Sequence, residues 1–97
     1  MQFVTISRRR TDAFPAEAFT PELVGREAAR VKELYAEGLL RQIWGRGDGG
    51  GAVIIWEAAS EAEVRGACES LPIFKAGMLA IEVLLPLKPY AGFGPAK

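Results

Sequence analysis

The chain has no histidine among its 97 residues and only one cysteine, Cys68. The first absence removes Ser-His-Asp and Cys-His nucleophilic catalysis, His-ligated zinc, and any mechanism in which imidazole carries the proton. A lone cysteine allows no internal disulfide and no thiolate cluster for a metal. Net charge is missing too: 12 Lys and Arg balance 12 Asp and Glu, so no global field gathers nucleic acid or an anionic membrane. No apolar run approaches the ~20 residues needed to cross a bilayer. The opening "MQFVTISRRR" puts its charge after its apolar residues, the reverse of a signal peptide. These absences predict a cytoplasmic protein with no metal, no nucleic-acid partner and no membrane partner. The Arg8-Arg9-Arg10 run is too short to alter that and is expected to be a solvated strand end.

What is present describes a folded chain, with 49% hydrophobic and 25% charged residues. The length suits a single domain over residues 1–97, small enough that much apolar surface must find cover elsewhere. "QFVTISR" alternates Phe3, Thr5 and Ser7 against Val4 and Ile6, the period of a strand. Thr20 followed by Pro21 then reads as an N-cap with proline at the first helical position. Leu23, Val24, Ala28, Val31, Leu34 and Tyr35 make an apolar face, and Gly38 supplies the stop. "LLRQIWGR" predicts a second strand, with Leu40, Gln42 and Trp44 on one side and Leu39, Arg41 and Ile43 on the other, and "AVIIWE" a third. Ser60 and Glu63 have capping-box spacing at the head of a second helix, "SEAEVRGACESLP", which buries Val64, Ala67, Cys68 and Leu71. "GMLAIEVLLPL" is the last strand, and residues 86–97 form a Gly/Pro-rich tail expected to pack on a neighbouring subunit.

The order β-α-β-β-α-β is that of the α+β, ferredoxin-like fold, an antiparallel four-stranded sheet with two helices on one face. The third strand runs apolar from Val53 to Trp56 and the last strand is apolar on both faces, so the second face of the sheet also needs cover. Another copy of the same sheet is the economical cover, which predicts a homodimer.

"GRGDGG" at residues 45–50 fits the G-x-G-x-x-G spacing and contains Arg-Gly-Asp. A dinucleotide loop works because its glycines lead from a strand into a helix whose N-terminal amides hold pyrophosphate. Here they lead into another strand, so a mobile hairpin tip is expected and no phosphate site. In the strand before it, Arg41, Gln42, Trp44 and Arg46 mix cation, amide and aromatic. One arginine there could hold a substrate carboxylate by a bidentate fork against an aromatic wall.

"YAEGLLRQIW" and "SEAEVRGACESLPIF" together resemble the muconolactone isomerase family. The resemblance rests on Glu37-Gly38, Arg41 with Trp44, Leu71-Pro72-Ile73-Phe74 and Ile81-Glu82-Val83, over roughly residues 21–85. It implies a dimeric α/β barrel that assembles further into rings or decamers. It also implies a cofactor-independent proton shift within a small carboxylated unsaturated lactone, as in aromatic catabolism. Glu27 falls where the family has a glutamate and is the implied carboxyl group for proton transfer, with Glu82 the second candidate. Arg41, Gln42, Trp44, Arg46 and Phe74 are the candidate substrate-binding residues. Members of the family carry histidine and lysine where this chain has Val4 and Ile6, and histidine where it has Gln42. Two other readings follow from that departure. One is a cofactorless oxygenase or cyclase of the same barrel class, with Trp44, Trp56, Phe74 and Tyr90 as an aromatic wall; the other is a non-catalytic binding or assembly subunit.

Overall fold

The computed structural model describes residues 1–93. The elements run β1 (Gln2–Arg9), α1 (Pro21–Ala36), β2 (Leu40–Gly45), β3 (Ala52–Glu57), α2 (Glu61–Glu69), α3 (Pro72–Lys75) and β4 (Leu79–Leu87). The strands form one antiparallel sheet in the order β2-β3-β1-β4, with the helices on one face, as the element order predicts.

The expected caps are in place. Thr20 Oγ1 accepts the Leu23 N–H at 3.2 Å, and Gly38, at φ 85°, closes α1 while the Leu39 N–H donates to Leu34 O at 3.1 Å. Ser60 Oγ accepts the Glu63 N–H at 3.2 Å, and Glu63 reaches back to the Ala59 N–H at 2.8 Å. The second helix is shorter than its pattern implied. It ends at Glu69, and Pro72, which cannot continue a helix, opens the separate turn α3.

Phe3, Thr5 and Ser7 of β1 are all buried, with Ile54 and Trp56 of β3 beside them, so this face carries the core. Leu34, Leu40, Val64 and Leu71 close over it, and a smaller cluster joins Leu23, Ile73 and Met78. Thr5 belongs there because its Oγ1 accepts the Trp56 indole N–H at 2.8 Å, which satisfies both polar groups.

Two expected faces are corrected. In α1 the inward stripe is Leu23, Glu27, Val31 and Leu34, while Val24, Ala28 and Tyr35 point outward. Leu23 and Leu34 lie three turns apart and fix the rotation, so the positions at helical spacing between them turn inward as well. In β2 the register shifts between Leu40 and Gln42: Leu40 pairs with Trp56, but Gln42 pairs with Ile55. This irregularity at Arg41 sends Leu40 to the core face and Gln42 and Trp44 to the other.

That other face is apolar and uncovered in the single chain. By register Val4, Ile6, Val53, Ile55, Val83 and Leu85 share it, and Trp44 beside them is 62% exposed. β4 extends through Leu87, opposite Gln2, so the tail begins later than expected. Tyr90 and Phe93 project at 82% and 86% exposure. The tail's last residues, 94–97, lie outside the described residues. Among the described residues, no helix is long and apolar enough to cross a membrane.

Candidate functional site

A cavity of about 160 Å³ lies between the helices and the core face of the sheet. Its walls are Ser7 and Arg9 of β1, Glu27 and Val31 of α1, Ile43, Gly51, Ala52 and Ile54 of the β2–β3 hairpin, Leu71 and Ile73 around α3, and Leu79. A dry cavity of about 150 Å³ is enough to take up benzene, so this one suits a single ring.

Glu27 enters the cavity because it stands in the inward stripe of α1. Its Oε1 accepts the backbone N–H of Ile73 at 3.0 Å, while no hydrogen bond to Oε2 occurs among the described residues. Burial pushes the carboxyl up from its ordinary value of 4.5, against the Ile73 hydrogen bond and the charge of Arg9, which pull it down. One oxygen is fixed in place and the other is free.

Arg9 was not expected at the site, and its placement corrects the reading of the arginine run as a solvated strand end. Alternation along β1 carries Phe3, Thr5, Ser7 and then Arg9 to the core face. Arg8 points the other way and pairs with Asp12 at 3.2 Å and Glu82 at 3.3 Å. Extending the period of two by one more step would have found Arg9.

The remaining candidates lie elsewhere. Arg41 stacks on the exposed ring of Tyr35, 5.6 Å from its centroid. Gln42 and Trp44 are on the uncovered face. Arg46 gives two bonds of 2.8 Å to Asp48, one of 2.6 Å to Glu82 and one of 3.2 Å to Ser7 O. Glu82 is thereby held between Arg8 and Arg46, outside the cavity. Phe74 packs against the core beside Ile81 and Leu84 in a separate small cleft. None of Trp44, Trp56, Phe74 and Tyr90 lines the cavity, so they form no common aromatic wall. Cys68 is buried, and burial pushes its thiol up to about 11, which leaves it protonated and inert.

The glycine loop is a hairpin tip, as its context implied, but it is anchored. Arg9 N–H donates to Gly50 O and Arg46 N–H to Gly51 O, both at 3.1 Å. A Cβ on Gly51, where φ is 132°, would sit 2.1 Å from Ser7 O. Glycine therefore lets this wall of the cavity close against β1. Among the described residues no group of His, Cys, Asp or Glu could hold a metal ion.

The family model for muconolactone delta-isomerase matches residues 1–91. The chain belongs to that family. Among solved structures, a muconolactone isomerase crystal structure matches with a TM-score of 0.75 and 20% identity, covering 100% of this chain and 98% of the other. A second match is 5-chloro-2-hydroxyhydroquinone dehydrochlorinase from Burkholderia phenoliruptrix in complex with 2,5-dihydroxybenzoquinone. It has a TM-score of 0.66 and 24% identity, covering 91% of this chain and 94% of that one. At these identities the two structures establish the family fold. No curated protein matches the chain in sequence.

Proposed function

We propose that the chain is a cofactor-independent isomerase that moves a proton within a small unsaturated lactone bearing a carboxylate, and that Glu27 carries the proton. Ionised Glu27 takes the proton from the ring carbon that bears the substituent, and the electron pair of that C–H bond moves through the double bond onto the lactone carbonyl oxygen. The resulting dienolate takes the proton back from Glu27 at the carbon next to the carbonyl. One C–H bond breaks, one forms, the double bond shifts by one position, and Glu27 is ionised again. A single carboxyl group can serve both steps because both positions lie on one face of a five-membered ring.

The observation that carries this reading is the state of Glu27. It is a carboxylate in an apolar cavity of single-ring size, held through one oxygen by the Ile73 N–H, with the other oxygen unbonded among the described residues. A desolvated carboxyl with a raised pKa is a stronger base than one in water, and family membership supports a proton shift as the reaction class.

One finding favours a second reading. The dehydrochlorinase of the same fold was solved with a planar dihydroxyquinone, and loss of HCl from a chlorinated hydroxyquinol also needs one base beside one ring. Incubation with muconolactone and, separately, with a chlorinated hydroxyquinol tests both. Conversion of the lactone alone supports the isomerase, chloride release alone replaces it, and turnover of neither removes both. We further infer that a second copy of the chain covers the open sheet face, forming a dimeric barrel, and that Tyr90 and Phe93 pack on a neighbouring subunit.

A further inference from the structure

We propose that Arg9 holds an anionic group of the substrate, so that the cavity selects a single unsaturated ring carrying a carboxylate rather than a neutral ring. The proposal rests on reading the Glu27 cavity as the substrate site. Among the described residues that line it, Arg9 is the one cation. Its neighbours are already engaged: Arg8 with Asp12 and Glu82, Arg46 with Asp48 and Glu82, and Arg10 with the Gly77 carbonyl and the ring of Phe14. Among the described residues the Arg9 side chain forms no ion pair and no hydrogen bond. A half-buried guanidinium with all its donors unused is poised for an acceptor from outside the chain.

The side chain is also held ready. Its backbone N–H donates to Gly50 O at 3.1 Å, and its aliphatic stem runs so close to Gly50 that a Cβ there would meet Arg9 Cδ at 3.1 Å. The guanidinium lies over the ring of Phe19, 5.1 Å from the centroid. The ring steadies the cation without using an N–H donor, and those unused donors are the ones that grip a carboxylate bidentately. Arg9 does not pair with Glu27 although both line the cavity. The two groups can therefore act on different parts of one ligand, the cation on the acid and the carboxylate on a ring carbon.

Isothermal calorimetry on the full chain tests this with two inert ligands, saturated analogues of the lactone: the carboxymethyl γ-butyrolactone and its primary amide. The acid should bind about tenfold to a hundredfold more tightly than the amide, the range expected for one charge-assisted pair. Arg9→Gln should reduce the acid to the level of the amide and leave amide affinity unchanged, which a loss of cavity structure would not do. Arg9→Lys should restore part of the difference. Equal affinity for acid and amide in the unsubstituted protein overturns the proposal without any variant. Acid binding that survives Arg9→Gln overturns it as well. Binding of neither ligand removes the cavity as a substrate site, and the Glu27 reading falls with it.

Discussion

Glu27 Oε1 accepts the Ile73 N–H at 3.0 Å, so the inward carboxylate of α1 caps the first turn of α3. The contact fixes the cavity wall and the Glu27 carboxyl together. Burial nevertheless makes Glu27 costly to ionise, since it raises the folded-state pKa against the pull of this hydrogen bond. The folded chain then binds more protons than the unfolded chain between the ordinary value of 4.5 and the raised value, so stability falls as pH rises through that window. Glu27→Gln keeps an oxygen for Ile73 and removes the charge. Its thermal midpoint should exceed that of the parent at neutral pH, and the gain should vanish below pH 4.5. A gain independent of pH would contradict the assigned burial.

Two glycines should respond oppositely to alanine. Gly51→Ala drives a Cβ into Ser7 O at a positive φ, and should cost on the order of 1 to 3 kcal/mol or more in urea unfolding. Gly25 lies inside α1 with nothing within 4 Å, and Gly25→Ala should stabilise by about 0.5 to 1 kcal/mol.

Arg46 is the clasp that ties the hairpin tip to β4 through Asp48 and Glu82. Arg46→Met should speed hydrogen exchange of the backbone amides at positions 9 and 46, which bond to the glycine loop. High salt should shift the parent in the same direction, because this network is exposed. Unchanged exchange would mean that the backbone bonds alone hold the loop.

The uncovered face predicts assembly. The chain should sediment as a dimer or a multiple of one at micromolar concentration, and Ile55→Asp should release monomer, because Ile55 lies on that face at mid-strand. A stable monomeric parent would remove the barrel.

Much of the fold was legible because its signals are local. The Thr20 and Ser60 caps, Gly38, and the alternation of Phe3, Thr5 and Ser7 each act within a few residues. Part of the rest depends on contacts distant in sequence. The irregularity at Arg41 needs the β3 register, and the clasp of Arg46 needs Glu82, 36 residues away. Glu27 is legible through the family likeness, while its inward rotation follows from Leu23 and Leu34. Arg9 was hidden by its neighbours: three consecutive arginines look like one charged end, although a strand sends them to alternate faces.

Whether Glu27 carries the proton is decided by steady-state turnover of muconolactone by the parent and Glu27→Gln. Loss of a general acid-base group should lower kcat by roughly 10²- to 10⁴-fold with KM little changed, since ring and acid contacts remain. A Glu27→Gln protein that turns over as fast as an active parent would show that another group carries the proton.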